Sequence, residues 1–221
     1  MNDIVRKISE CIERGKVNKK SPYPPDLKDQ NGADELAAQA LEQGVKPVEI
    51  LNACMKGMRA VGDKFSKNLV FVPELLMSAK AMTAVMGHLK PFFQSGDVKR
   101  KGTFVIGTVS GDLHDIGKNL VKMIIEGNGW EVIDLGVDVS ADKFLQTVNE
   151  HPGCFVGLSA LLTTTMVNME KIVKTIKEKH SHTKILVGGA PLTMDFCTKI
   201  GADFYSPDPQ GAARYLDGLA A

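Results

Sequence analysis

The sequence predicts an α/β protein in two parts, a helical bundle over residues 1–95 and a doubly wound parallel sheet over residues 103–221. Apolar residues in the first part recur at spacings of three and four, which places them on one face of each helix. In the second part, short continuous apolar runs alternate with helical segments, a pattern typical of a buried parallel sheet. The polar stretch QSGDVKRKG lies between the two parts, so we assign residues 96–102 to a linker.

Four helices are predicted in the first part. They cover Asp3–Glu13, Asp34–Leu41, Pro47–Phe65 and Pro73–Phe93, and Pro73 suits the first turn of a helix. The stretch SPYPPDLKDQNG within residues 16–32 contains three prolines, which predicts an extended loop after the first helix. Four helices with one long connection form a small bundle.

The second part repeats a strand and a helix five times. The predicted strands are TFVIGTV, EVIDLG, CFVGLSA, KILVGGA and DFYS, which begin at residues 103, 131, 154, 184 and 203. The helices between and after them are predicted at Gly117–Asn128, Ala141–Asn149, Thr165–His180, Met194–Ile200 and Gly211–Leu219. Five such units indicate a flavodoxin-like or Rossmann-like sheet with the strand order 2-1-3-4-5. Open parallel sheets of this order bind ligands in the crevice where the loops after strands 1 and 3 diverge.

The composition argues against several functional classes. The chain of 221 residues has a formal charge of +1 and only 6% aromatic residues, so we expect no nucleic-acid partner. No apolar run reaches the length of a membrane span, and the N-terminus lacks the apolar stretch of a secretory signal. The four cysteines form no CxxC pair, which predicts free thiols in a reducing cytoplasm rather than a zinc site.

Three segments are expected to line the crevice. The loop after the first strand covers Ser110–Gly117, the loop after the third covers Ser159–Thr165, and the fourth strand ends in Gly188 and Gly189. All three are rich in glycine, hydroxyl or ionisable residues. They therefore lie where the predicted topology places a ligand.

His114 is the candidate metal ligand of the first loop, and it lies between Asp112 and Asp115. An imidazole that binds a metal usually donates its other N–H group to a carboxylate. A single histidine makes a poor zinc site but fits a metal that arrives inside a macrocycle, either haem or corrin. The alternative is a plain loop, in which an aspartate caps the next helix and the histidine is solvated.

Taken together, the three segments resemble the B12-binding domains of corrinoid proteins. These domains carry D-x-H-x-x-G, then S-x-L after the third strand and G-G after the fourth; the sequence has Asp112-x-His114-x-x-Gly117, Ser159-x-Leu161 and Gly188-Gly189. The VGDKF and FVPELLM segments at residues 61–65 and 71–77 are similar to the helical cap that precedes this domain in corrinoid methyltransferases and methionine synthase. The resemblance covers nearly the whole chain except residues 21–32.

The resemblance implies a cobalamin site centred on His114. This residue would bind cobalt from below in place of the cofactor's own benzimidazole, the base-off, His-on mode. Asp112 would hydrogen-bond His114, and Thr165 would continue that relay where methionine synthase has a serine. Gly117 would let the displaced nucleotide tail pass into the core, where a side chain would block it.

Further contacts are implied around the tail and the corrin ring. Ser159 and Thr163 would bind the tail or the corrin edge, and Asp208 would lie near the end of the tail. Gly188 and Gly189 would leave room for the benzimidazole. The expected set of cofactor-binding residues is completed by Leu113, Asp115, Ile116 and Leu161. Candidates to cover the upper, methyl-bearing face are Phe71, Val72, Leu75 and Leu76.

The implied function is a methyl carrier that is not an enzyme by itself. A substrate-specific methyltransferase would load cobalt from a methylamine, methanol or a methoxylated aromatic compound, giving methylcobalamin. A second methyltransferase would pass the methyl group to a folate or a thiol, and a reductive activase is a further expected partner. Alternatives are a B12-dependent photosensor or regulator, the small subunit of an adenosylcobalamin mutase, and an FMN- or phosphate-binding flavodoxin-like domain.

Overall fold

The computed structural model describes residues 3–95 and 99–219, which divide into two compact units. The first unit is formed within residues 1–100 and 127–129, and the second within residues 101–126 and 130–221. The predicted linker falls partly on residues 96–98, which lie outside the described residues.

Four α-helices run through the described part of the first unit, as predicted. They are α1 (Asp3–Glu13), α2 (Ala33–Glu42), α3 (Pro47–Ser66) and α4 (Val72–Gln94). Prolines occupy the first turns of α3 and α4, where the missing N–H group costs no hydrogen bond. No helix among the described residues is long and apolar enough to cross a membrane.

The long connection between α1 and α2 is more ordered than the predicted extended loop. It contains a short 3-10 helix at Pro25–Leu27. The fully buried Lys16 donates from Nζ to the carbonyl oxygen of Ser21 at 2.8 Å. The N–H of Gly32 donates to Glu35 Oε2 at 2.9 Å. These contacts fix both ends of the connection without regular secondary structure.

The second unit contains a five-stranded parallel sheet with the order β2-β1-β3-β4-β5, which confirms the predicted topology. Its strands are β1 (Thr103–Thr108), β2 (Glu131–Asp134), β3 (Phe155–Ser159), β4 (Ile185–Gly188) and β5 (Phe204–Tyr205). The helices that follow them are α5 (Ile116–Gly127), α6 (Ala141–Glu150), α7 (Met166–Lys179), α8 (Met194–Ile200) and α9 (Pro209–Leu219). The helix predicted from Thr165 begins one residue later, because residues 163–165 form a 3-10 turn.

Two glycines in the central strands make room for aromatic rings. A Cβ atom on Gly157 of β3 would lie 2.4 Å from Cζ of Phe104, and one on Gly107 of β1 would lie 2.7 Å from Cζ of Phe144. Both rings are almost fully buried, so the glycines allow the sheet to pack closely on each side. This packing fixes β1 beside β3 and sets the point where their loops separate.

Candidate functional site

The loops that follow β1 and β3 start from neighbouring residues and then separate. Thr108 and Ser159 are register partners at the ends of these strands. Residues 110–115 lead from β1 towards α5, and residues 160–165 lead from β3 towards α7. Thr108 Oγ1 donates to the carbonyl oxygen of His114 at 2.9 Å, so the first loop folds back over the end of β1.

The carboxylate of Asp112 connects the two loops. Its Oδ1 atom accepts from Nδ1 of His114 at 2.7 Å and from the His114 backbone N–H at 3.1 Å. Its Oδ2 atom accepts from the Thr165 hydroxyl at 2.9 Å. The same oxygen accepts from the backbone N–H groups of Leu161 at 2.7 Å and Leu162 at 3.2 Å. The side chain of Asp112 is fully buried.

These donors determine the charge of Asp112 and the tautomer of His114. Burial raises the pKa of Asp112, but hydrogen bonds from Leu161, His114 and Thr165 outweigh that effect and hold the pKa well below its ordinary range. The ionised carboxylate accepts hydrogen bonds only, so Nδ1 of His114 carries the proton. In the neutral imidazole Nε2 then carries the lone pair, and the His114 side chain is 52% exposed. The arrangement suits an imidazole that binds a metal through Nε2.

Exposed apolar side chains flank this imidazole. Leu113 of the first loop and Ile116 at the start of α5 are more than two-thirds exposed, and Leu161 and Leu162 of the second loop are also exposed. Large apolar side chains left in water at one place mark a binding surface. A ligand at this site therefore meets one nitrogen donor surrounded by apolar groups.

Three glycines of the site differ in what surrounds them. A Cβ atom on Gly117 would meet no atom within 4 Å, and one on Gly188 would meet only the Ser206 carbonyl oxygen, at 3.7 Å. Gly189 has a φ of +139°, and its Cβ atom would lie 1.8 Å from the Ala160 carbonyl oxygen. The fold itself requires glycine at position 189, whereas Gly117 is exposed and Gly188 is half-buried, and packing does not require glycine at either.

Comparison with known proteins identifies the family of this chain. Two family models, each described as a B12 binding domain, match residues 102–213 and 29–90. The chain is 41% identical over 182 residues to trimethylamine corrinoid protein 1 of Methanosarcina mazei, which covers 80% of this chain and 84% of that protein. The chain belongs to the B12-binding corrinoid protein family.

Solved structures of corrinoid proteins share the fold. A chain of the methanol:cobalamin methyltransferase complex MtaBC from Methanosarcina barkeri is 29% identical, with a TM-score of 0.82 over 99% of this chain and 80% of that chain. A cobalamin-binding protein from Desulfitobacterium hafniense is 27% identical, with a TM-score of 0.76 over 97% of both chains. This corrinoid protein therefore uses cobalamin as its cofactor and is part of a methyltransferase system.

The structure brings together only some of the residues expected at the cofactor site. His114, Leu161 and Thr165 each donate to the carboxylate of Asp112. Asp115 instead accepts from the side chain of Asn119 at 3.0 Å, so only one of the two aspartates beside His114 is bonded to it.

The remaining residues that were expected to contact the cofactor differ in their exposure, and one of them makes a hydrogen bond at the start of a helix. Asp208 accepts from the Gly211 N–H at 2.9 Å in the first turn of α9. Thr163 is exposed and Ser159 is half-buried. In the first unit Phe71 and Leu76 are exposed and Val72 is half-buried. Leu75 is fully buried, so it offers no surface to a ligand in this structure.

Two residues that the sequence argument missed hold the His114 loop of the corrinoid protein. Asp138, from the loop after β2, accepts from the Gly111 N–H at 2.7 Å. Asn168 of α7 donates to the Ser110 carbonyl oxygen at 2.7 Å. The strand order contained a signal for Asp138, because β2 lies beside β1 and its loop leaves the same edge of the sheet.

Proposed function

We propose that this corrinoid protein carries a methyl group on cobalamin, with His114 as the lower axial ligand of cobalt. The observation that carries the proposal is the 2.7 Å contact between Nδ1 of His114 and the buried carboxylate of Asp112. A hydrogen bond to an ionised carboxylate fixes the tautomer and makes the opposite nitrogen a better ligand. When bound, cobalamin supplies a cobalt ion that accepts and releases a methyl group.

The residues around His114 fit a cofactor with its own ring of ligands. A macrocycle needs one axial donor from the protein and apolar side chains against its face, and the His114 loop supplies both. Asp112 and Thr165 orient the imidazole, and their hydrogen-bonded chain can hold a proton near it. The same residues make the base-off, His-on mode the binding mode that we propose.

The open surface beside Gly117 and the loose surroundings of Gly188 leave room for the nucleotide tail of the cofactor. A tail that enters at Gly117 would pass at the carboxyl ends of β1, β3 and β4. Ser159 and Thr163 are hydroxyl groups within reach of such a path, and Asp208 and Gly189 belong to its far side. We assign Gly189 a backbone role there, since its conformation excludes every other residue.

The first unit is proposed to protect the upper face of the cofactor. Phe71 and Leu76 have apolar surface available for this purpose, and Val72 lies between them. An apolar cover excludes water from a reactive group and has to move aside for each partner. This role needs no catalytic residue in the carrier itself.

The partners follow from the relatives. A trimethylamine corrinoid protein is 41% identical to the chain, whereas the match within the methanol complex is 29% identical. We therefore propose a methylamine-specific methyltransferase as the donor partner, with a second methyltransferase that uses a folate or thiol acceptor and with a reductive activase. These relatives favour a carrier over a photosensor or a mutase subunit, and a cytoplasmic location stays a prediction.

The proposal is tested by identifying the nitrogen that is bound to cobalt. Protein labelled with 15N and loaded with unlabelled cobalamin is reduced to the cobalt(II) state and measured by electron paramagnetic resonance. We expect the splitting from one axial 15N nucleus, because the ligand comes from the protein. His114→Ala should lose it, while His182→Ala, an exposed histidine elsewhere in the second unit, should keep it. A splitting from 14N in the wild-type protein would mean that the benzimidazole stays bound, and the proposal would be wrong.

A further inference from the structure

Asp138 holds the segment that precedes the Asp112 carboxylate. Its Oδ1 atom accepts from the Gly111 N–H at 2.7 Å and from the Ser110 hydroxyl at 3.2 Å. Its own N–H donates to the carbonyl oxygen of Asp112 at 3.0 Å. One residue of the β2–α6 loop thus binds three consecutive residues of the β1–α5 loop.

Asn168 holds the same segment from the opposite side. Its Nδ2 atom donates to the carbonyl oxygen of Ser110 at 2.7 Å. A Cβ atom on Gly111 would lie 3.7 Å from that nitrogen and 3.6 Å from Cγ2 of Thr165, so the segment rests against the start of α7. The two contacts come from different elements, and neither involves the imidazole of His114.

The backbone around these contacts is unusual and is matched to its residues. Gly111 has a φ of +82° and Asp138 has a φ of +54°. Glycine adopts such angles freely, and aspartate and asparagine adopt them more readily than other residues do. Position 138 therefore needs a residue that tolerates a left-handed backbone and offers a side-chain oxygen to Gly111.

We propose that Asp138, supported by Asn168, is a positioning residue for the axial imidazole. Asp112 and His114 lie on one short loop, so the direction of the imidazole depends on where the backbone of residues 110–112 is held. Asp138 fixes the backbone of residues 110–112 and thereby the place of the Asp112 carboxylate. The hydrogen bond from Nδ1 of His114 to that carboxylate then fixes the direction of the ring. Axial coordination requires a nitrogen placed within about half an ångström, which a loose loop does not provide. The inference rests on the proposed ligation of cobalt by His114.

Other hydrogen bonds preserve the fold when Asp138 is replaced. Asp112 keeps its contacts with Leu161, Leu162 and Thr165, and Thr108 keeps its contact with the His114 carbonyl oxygen. The expected defect is therefore a misplaced imidazole in a folded protein. Asp138→Asn tests the acceptor separately from the charge, because an amide oxygen still accepts from Gly111 and asparagine tolerates the same backbone angle.

The test uses 15N-labelled holoprotein and the cobalt(II) spectrum. Asp138→Ala should shift the equilibrium between bound and free imidazole about fivefold or more towards the free form. Asp138→Asn should retain the wild-type splitting. Asp142→Ala is the matched control, since this aspartate is exposed on the first turn of the adjacent α6. Asn168→Ala should shift the same equilibrium in the same direction, and thermal unfolding shows whether each variant is folded.

A second measurement on the protein without cofactor examines the loop directly. Hydrogen exchange at the Gly111 amide should become about tenfold faster in Asp138→Ala and should change little in Asp138→Asn. A wild-type protein-nitrogen splitting that persists unchanged in Asp138→Ala overturns the positioning role and leaves the proposed function intact. Absence of that splitting in the wild-type protein overturns the ligation by His114 and the positioning role with it. If the Gly111 amide exchanges at the wild-type rate in Asp138→Ala, the positioning role is also rejected.

Discussion

A fully buried carboxylate and a half-buried one, at opposite ends of the sheet, have different partners. At the carboxyl end, Asp112 accepts from neutral groups and one imidazole. At the amino end, Asp203 pairs with Lys177 at 2.6 Å and Lys184 at 3.0 Å, and it accepts from the Ile185 N–H at 2.9 Å.

The difference supports the proposed role of Asp112 in orienting His114 and indicates a structural role for Asp203. Two lysines neutralise Asp203, so its charge is used within the fold. No cation lies among the described partners of Asp112, so its negative charge is available to the imidazole. A low pKa is common to both and does not distinguish them. The two carboxylates are distinguished by the hydrogen-bond donors that the structure describes, which include two lysines at Asp203 but none at Asp112.

The largest expected effect follows replacement of the carboxylate at the carboxyl end. In Asp112→Asn the side chain has one oxygen and one NH2 group in place of two oxygens. Its NH2 group must therefore face another donor, either His114 or the pair Leu161 and Thr165. We expect loss of the imidazole–cobalt bond and a decrease of about 1–3 kcal/mol in the free energy of unfolding. Urea denaturation of the apoprotein measures the second quantity, and the cobalt(II) spectrum measures the first. A normal spectrum from the folded variant would show that Asp112 does not orient the ligand.

A comparable difference between the ends concerns two glycines. A Cβ atom on Gly102, at the amino end, would lie 2.7 Å from the ring of the buried Trp130, whereas one on Gly117 would meet nothing within 4 Å. Glycine is therefore explained by packing at position 102. Gly117 is exposed on the first turn of α5, so packing gives no reason for glycine there, and we propose that the nucleotide tail passes at this position.

Gly117→Leu is accordingly expected to weaken cobalamin binding by about 10- to 100-fold, because its side chain fills the space assigned to the tail. Cobinamide lacks the nucleotide tail, so its affinity should change little. Titration of both compounds against the wild type and the variant measures the difference. Gly87→Leu, an exposed glycine on α4, is the control for adding leucine to a helix. Equal losses for cobalamin and cobinamide would contradict the buried tail.

The topology and the neighbouring loops of the candidate site could be predicted from the sequence because both depend on short-range patterns. The apolar runs located the strands, and the strand order brought Thr165 close to Asp112. The residues around His114 did not by themselves choose between Asp112 and Asp115; the family resemblance indicated Asp112. In the structure α5 begins at Ile116 and Asp115 accepts from Asn119. The burial of Leu75 depends in the same way on which face of α4 packs inward. Asp138 was missed because the expected crevice was limited to the loops after strands 1 and 3.

A smaller effect is expected at the amino end. Asp203→Asn removes the charge that pairs with Lys177 and Lys184 but keeps an oxygen for the Ile185 N–H. Since the two lysines are partly exposed, we expect a decrease of only about 1–2 kcal/mol in the free energy of unfolding. The cobalt(II) spectrum should match that of the wild type. A changed spectrum in this variant would mean that Asp203 also affects the axial ligand of cobalt, so the two carboxylates would not differ in the way proposed.

The smallest effect is the pH dependence of the stabilisation that ionised Asp203 provides through its two lysines. Burial raises the pKa of Asp203, but Lys177, the Ile185 N–H and Lys184 outweigh that effect and hold the pKa below its ordinary value. As the pH falls, the unfolded chain therefore binds the proton first, so the stabilisation is complete above about pH 5 and declines as the pH falls through the native pKa. Asp203→Asn has no such proton to bind, and its free energy of unfolding should fall less steeply between about pH 5 and pH 3, by less than about 1.4 kcal/mol per pH unit. Urea titrations of both proteins at several pH values measure the two slopes, and parallel slopes would mean that the lysines do not stabilise the charged form of Asp203.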